Sequence, residues 1–339
     1  MHAMNAQRED KPPWSAVPRA VREEAEQVIG ARIVRAVRKY GGYGPSATFE
    51  LALDNGRRAF FKGVYPLPEG SGVVWRLEEE ELVYERLGDL ILPWAPRYFG
   101  SIRREGWHAL LIEALTGDKV PPWTRSRARR AMRSYAEFHA STVDRPLPEW
   151  LTREHHLEFT GYWRAVTSDH DALARLIAIC PDEARRTAQD WMAHNAAQLI
   201  AAEQPLAAAD RFALLHFDTR SDNIRIDGTT LRIFDWPFAC AGPPEFDFGA
   251  FAQSVTGEGG PTPEELTAWY SEVLPMDDDV LTASVVAIAG FFADRGSRPD
   301  VPGLPRLRAF QRLQLTSTLR WAARRLGLPA PAWLDSVAR

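Results

Sequence analysis

Leu214–Phe238 reads LLHFDTRSDNIRIDGTTLRIFDWPF. His216, Asp218 and Asn223 stand in the spacing H-x-D-x-x-x-x-N, and an apolar run then ends in Ile233-Phe234-Asp235. Phe212–Leu215, Ile224–Ile226 and Leu231–Phe234 read as short strands, so Asp218 and Asn223 fall in the loop between the first two. These residue types at these distances suit phosphoryl transfer. One carboxylate must meet the attacking hydroxyl and take its proton, the role given to Asp218. A carboxamide, Asn223, and a second carboxylate, Asp235, offer oxygens to magnesium. Asp222 reads as a turn former. His216 reads as a residue that positions the loop, since Asp218 already fills the base role. The opposing reading, that the acids only close turns, requires four residue types to fall into register by chance.

Upstream, the chain has the texture of strands with few helices. Val17–Gly30 reads as a helix stopped by Gly30. Ala47–Leu53 and Arg58–Val64 flank Asp54-Asn55-Gly56, and Asn-Gly between two such runs marks a hairpin. Val74–Leu87 reads as a helix, and Arg97–Arg103 and Trp107–Leu115 as two more strands. Lys62 lies in the run RAFFKGV behind Phe60 and Phe61. An ammonium among large apolar side chains is costly unless paired. Glu80 shares the inward face of the following helix with Tyr84 and Leu87, which makes it the partner, with Glu81 second. Gly42 and Gly44, between two strands, let backbone approach a phosphate, and Ser46 adds a hydroxyl. Glu113, Ala114 and Leu115 close the last strand, where one N–H and one C=O can pair with a nucleotide base.

Downstream of Gly117 the texture turns helical, over Ser126–Ser141, much of His155–Ile179, Asp182–Ala202, Pro263–Val273, Val280–Asp294 and Leu307–Leu326. This gives an α+β protein with a flexible lead-in over residues 1–16. A β-rich region follows over 17–115 and a helical region over 116–339, with a ligand cleft expected between them.

The chain has 339 residues and a net charge of −4. That charge gives no general attraction to nucleic acid or to an anionic membrane. Cys180 and Cys240 read as two buried thiols of a cytoplasmic protein rather than a bridge. From Ile233 to Asp294 there are eleven acids and no Lys or Arg, and a basic tail follows from Arg295. Either the acids receive a cationic acceptor, or they are solvated helix faces paired with that tail. In the second case the rings of Trp123, Trp163 and Trp269 point to a flatter acceptor that stacks.

Taken together, His216-Phe-Asp218…Asn223, Ile233-Phe-Asp235-Trp236, Pro243-Pro-Glu-Phe-Asp247-Phe-Gly-Ala, Phe138-His139-Ala140 and the pair Lys62 and Glu80 resemble the aminoglycoside phosphotransferase and choline kinase-like family. That resemblance implies a protein-kinase-like two-lobe fold, ATP or GTP, Mg2+ and phosphorylation of a hydroxyl on a small molecule. A non-catalytic nucleotide-binding module of the same fold and a protein kinase are the competing readings. Phe217 departs from the family pattern, which usually has Gly or Asn after the His. Asp247-Phe248-Gly249 imitates a kinase metal motif but lies 29 residues beyond Asp218. Asp247 is expected instead to cap a helix over Phe248–Ser254 and to brace the catalytic loop.

Overall fold

The computed structural model describes residues 11–40, 46–66, 77–302 and 304–337. Gly42 and Gly44 lie outside the described residues, as does the expected first turn of the helix from Val74. The chain forms two compact units. The first holds the described residues up to Asp118, Asp222–Phe238 and the described part of Pro302–Pro305. The second holds Lys119–Ser221, Ala239–Val301 and the described residues from Arg306. By packing, the segment carrying Asn223 and Asp235 thus belongs with the first unit, although the division of the sequence near residue 115 groups it with the helical region.

The first unit is built on an antiparallel five-stranded sheet of β1 (Ile33–Arg38), β2 (Ala47–Leu53), β3 (Arg58–Val64), β4 (Tyr98–Arg104) and β5 (Trp107–Glu113), in the order β1-β2-β3-β5-β4. Gly56, at φ +80°, closes the β2–β3 turn, the left-handed backbone that Asn-Gly supplies. Side chains alternate across a strand, so Phe61 and Lys62 point to opposite faces of β3. On one face Phe49, Leu51, Phe61 and Leu111 form a core with Val21, Ala25 and Ile29 of α1 (Arg19–Ile29). Each such large side chain contributes about 1.5–3 kcal/mol by burial. Lys62 takes the other face, in a strand flanked on both sides by β2 and β5. α2 (Glu78–Ile91) follows, with Glu80, Tyr84 and Leu87 buried. A hairpin of β7 (Ile224–Asp227) and β8 (Thr230–Ile233) pairs Ile224 with Ile233. It is fastened to the unit by the N–H of Ile233 on the Trp94 carbonyl and by reciprocal Asp118 and Ile226 backbone bonds. Gly117, at φ +105°, makes that approach feasible, because a Cβ there would meet the Ile226 oxygen at 2.6 Å.

The second unit is helical: α3 (Arg125–Ala140), α4 (Tyr162–Ser168), α5 (His170–Ala178), α6 (Asp182–Ala202), α7 (Gln204–Ala207), α8 (Pro244–Gly257), α9 (Pro263–Ser271), α10 (Asp278–Ser297) and α11 (Leu307–Arg325). Its short strands β6 (Ala213–Leu215) and β9 (Cys240–Gly242) pair antiparallel. α10 is long and apolar enough to cross a membrane by length and composition, yet 67% of its most apolar window is buried within the protein. It packs against α4, α8 and α11, so its hydropathy serves the core. Gly290 lets α10 meet Trp163 of α4 closely, since a Cβ there would lie 2.9 Å from the indole ring.

Candidate active site

In the first unit, the Lys62 ammonium lies 2.5 Å from a carboxylate oxygen of Glu80 and 2.5 Å from one of Asp235. Lys62 and Glu80 are buried, and Asp235 is partly open. Burial opposes the charge on Lys62. The carboxylates of Asp235 and Glu80 outweigh it and raise the ammonium above its ordinary value. For Glu80 burial dominates and raises the carboxyl, with Lys62 pulling the other way. Glu81, the second candidate partner, is taken by Ser101, Arg103 and His108 on the sheet side.

Asp235 adopts φ +71°, a left-handed conformation that costs an L-residue about 1–2 kcal/mol. It follows directly on the Phe234 N–H, which donates to the Asn223 carbonyl at 2.9 Å. Asn223 and Asp235 thus share one end of the β7–β8 hairpin, and Asn223 is buried. One carboxamide and one carboxylate form an oxygen-only donor set, which fits magnesium.

The second unit carries His216–Ser221, the loop that follows Leu215. Asp247, inside the first turns of α8 and fully buried, accepts the His216 N–H at 2.8 Å and the Phe217 N–H at 2.9 Å. Burial alone would raise the Asp247 carboxyl. Hydrogen bonds and charge from His139, then Tyr135 and His216, more than offset this and hold it below its usual range. His139 Nε2 is 3.2 Å from Asp247, and its Nδ1 is 2.6 Å from the Tyr270 hydroxyl. The Asp218 N–H donates to His216 Nδ1 at 3.3 Å. Tyr135 and Thr219 share a hydroxyl–hydroxyl bond of 2.8 Å. Ser221 bonds the Glu258 carboxylate, and the Trp123 indole N–H reaches both, at 3.2 and 2.9 Å. The Asp218 carboxylate is itself paired with Arg220 at 3.4 Å, and both remain partly exposed.

Residues 67–280 match the family model described as the phosphotransferase enzyme family. The chain belongs to that family. By sequence, no curated protein matches this phosphotransferase. Among solved structures, an aminoglycoside phosphotransferase from Alicyclobacillus acidocaldarius superposes with a TM-score of 0.61 at 13% identity, covering 93% of this chain and 96% of that one. Spectinomycin phosphotransferase, in complex with ADP and spectinomycin, gives 0.57 at 13% identity, with 89% and 98% covered. An ethanolamine kinase from Plasmodium vivax gives 0.54 at 12%, with 86% and 84% covered. These likenesses establish the protein-kinase-like fold.

Several expectations for the phosphotransferase need correction. Asp247 does not cap its helix, because α8 begins at Pro244 and Asp247 lies within it. Glu113 cannot offer its backbone N–H to a base, since that group donates to the Arg97 carbonyl at 2.8 Å. Its carboxylate is held by Arg232 at 2.9 Å. β5 ends at Glu113, with Ala114 and Leu115 beyond it. Ser46 is buried at the start of β2, and the nearby Thr48 hydroxyl is spent on the Lys39 carbonyl. The acid-rich stretch is largely engaged. Glu264 pairs with Arg324, Asp278 with Arg325, Glu265 with Arg125, Glu272 with Arg129 and Arg133, and Asp294 with Arg298. Asp277 caps α10, and Glu245 accepts from its backbone. Nor are the three tryptophans platforms. Trp163 is fully buried, Trp123 braces the loop, and Trp269 is covered by the Arg125 guanidinium. The braces Tyr135, Glu258 and Tyr270, and the Asp218 partner Arg220, were not singled out by sequence. His139 was visible only through Phe138-His139-Ala140.

Proposed function

We propose that this phosphotransferase is an ATP-dependent O-kinase acting on a hydroxyl of a small molecule. The observation that carries the reading is the Lys62 ammonium fixed between Glu80 and Asp235. A buried lysine held at one atom by a helix carboxylate and a loop carboxylate is placed to bind phosphate oxygens rather than to face water. Asp218 orients the acceptor hydroxyl and receives its proton. The acceptor oxygen forms a bond to the γ-phosphorus, the bond from phosphorus to the β-phosphate bridging oxygen breaks, and ADP leaves. Asn223 and Asp235 would hold Mg2+, which when bound offsets charge on the phosphates. His216, with Asp247 and His139 behind it, keeps the loop in one conformation so that Asp218 need not reorganise during the reaction. Ala114 and Leu115 supply backbone groups for the nucleotide base.

The paired state of the acids from Glu245 to Asp294 removes the ground for a polycationic acceptor. The test is ADP release by purified protein with Mg-ATP and a set of hydroxyl-bearing small molecules, run beside Asp218→Asn. Acceptor-dependent release that the variant lacks supports the reading. No release with any acceptor, although Mg-ATP binds, leaves only a nucleotide-binding module.

A further inference from the structure

Phe60 precedes Lys62 by two residues on β3, so its ring points to the same face of the sheet, about 7 Å along the strand. It is half-buried, whereas Phe61 is in the core on the other face. Glu50 of β2 and Ile112 of β5 stand opposite Phe60. The β7–β8 hairpin meets this face, since Asp235, two residues beyond β8, touches Lys62.

On the hairpin, Arg225 stands directly opposite Arg232, and both point to one side, as does Phe234 by alternation. Arg232 is spent on the sheet side of the unit, where it donates to the Ala95 carbonyl at 3.0 Å and to the Glu113 carboxylate at 2.9 Å. Glu113 ends β5, next to Ala114 and Leu115. Arg225 has no such carboxylate. Among the described residues it forms no ion pair, and its hydrogen bond goes to the carbonyl of Ile224 beside it. Its guanidinium is half-buried and lies 5.3 Å over the Phe234 ring. Burial lowers it from its ordinary value, with Asp222 and Glu50 pulling the other way. Arg225 is thus bracketed within the first unit. Phe234 and Asp235 lie toward the metal residues, Arg232 and Glu113 toward the end of β5. Glu50, the cross-strand neighbour of Phe60, lies within electrostatic reach.

We propose that Arg225 carries the base of the nucleotide: the purine lies face-on to its guanidinium, with Phe234 behind that plane and Phe60 on the other side of the ring. This rests on the kinase reading and adds a residue to its nucleotide site. A planar cation already laid over one ring needs no reorientation to receive a second. A stack reads the face of a ring rather than its edge, so the contact serves adenine and guanine alike.

Three probes test it: Mg-AMP-PNP, Mg-GMP-PNP and Mg-tripolyphosphate, which has the phosphates without a base. Calorimetry on the full chain gives their Kd for the parent, Arg225→Gln, Arg225→Lys and Phe60→Leu. Each variant should weaken both nucleotides by about tenfold, the loss of one stacked contact, while tripolyphosphate affinity holds. Arg225→Lys keeps the charge but loses the plane, so lysine should not restore binding. Unchanged nucleotide binding in both arginine variants, an equal loss for tripolyphosphate, a loss confined to one base, or full recovery with lysine overturns the proposal. So does a parent that binds tripolyphosphate as tightly as the nucleotides, because the base then contributes nothing. A parent that binds none of the three sinks the kinase reading and this inference with it, whereas the other failures sink only the role of Arg225.

Discussion

Asp218 and Asp235 are both carboxylates, yet their surroundings differ, Asp218 facing Arg220 and Asp235 facing Lys62. Asp218 sits beside one guanidinium, partly open, on a loop held by its neighbours' backbone bonds. Replacing it by Asn keeps shape and the N–H to His216 while removing the carboxylate proposed to accept the proton. Turnover should fall by about 10²-fold or more with nucleotide affinity nearly unchanged. Single-turnover kinetics with calorimetry would check this, and near-normal turnover would move the chemistry elsewhere. Asp235 faces Lys62 at 2.5 Å from a left-handed backbone. Asp235→Ala should weaken Mg-ATP binding by at least tenfold, since the carboxylate proposed to hold the metal is lost. The loss should be larger with magnesium than for ATP in EDTA, and equal affinities in both media for the variant and the parent would remove Asp235 from the metal site. The sequence exposed both residues because their spacing is local. It hid the braces because they are distant along the chain, Tyr135 standing 84 residues from Thr219.

At the scale of elements, Glu203 joins two helices. It follows α6 and accepts the N–H of Gly161 at 2.8 Å, the residue that opens α4. Burial raises its carboxyl to about 7, against the opposing pull of that hydrogen bond and of Arg164. The unfolded chain ionises near the ordinary value of 4.5. Between these values the folded state holds a proton that the unfolded state has released, so stability falls as pH rises from about 4.5 to 7 and is level above. The full difference is at most ~3 kcal/mol. Glu203→Gln should flatten this slope and be the more stable protein at pH 7.5, as measured by urea unfolding at pH 4.5, 6 and 7.5. Parallel pH profiles for variant and parent would dismiss the group. Elements with strong local signals were legible in sequence, such as the β2–β3 hairpin at Asn55-Gly56 and α6, whose bounds agree to the residue. β9 was not, because Cys240–Gly242 is three residues with no alternation. α8 was expected to begin after its prolines, but Pro244 starts the helix: proline is tolerated in a first turn, where its missing N–H has no partner to lose.

For the whole molecule, the candidate residues are distributed over both units. Lys62, Glu80, Asn223 and Asp235 belong to the first, and His216, Asp218, Arg220 and Asp247 to the second. Four residues of continuous chain, Thr219–Asp222, separate Asp218 from Asn223, so the H-x-D-x-x-x-x-N spacing seen in sequence is also where the chain passes from one unit to the other. A ligand that binds the folded chain stabilises it by mass action, by about 2.7 kcal/mol at a hundredfold excess over its Kd. Mg-AMP-PNP at that excess should raise the melting temperature by several degrees. Lys62→Ala leaves the buried Glu80 and the partly open Asp235 without their common cation, which lowers the basal melting temperature and should abolish the nucleotide shift as well. Asp218→Asn should retain the shift in full, because the residues assigned to the nucleotide all lie in the other unit. Differential scanning calorimetry of the three proteins with and without Mg-AMP-PNP makes the comparison. A shift that survives in Lys62→Ala, or disappears in Asp218→Asn, would break the assignment of nucleotide to one unit and proton transfer to the other.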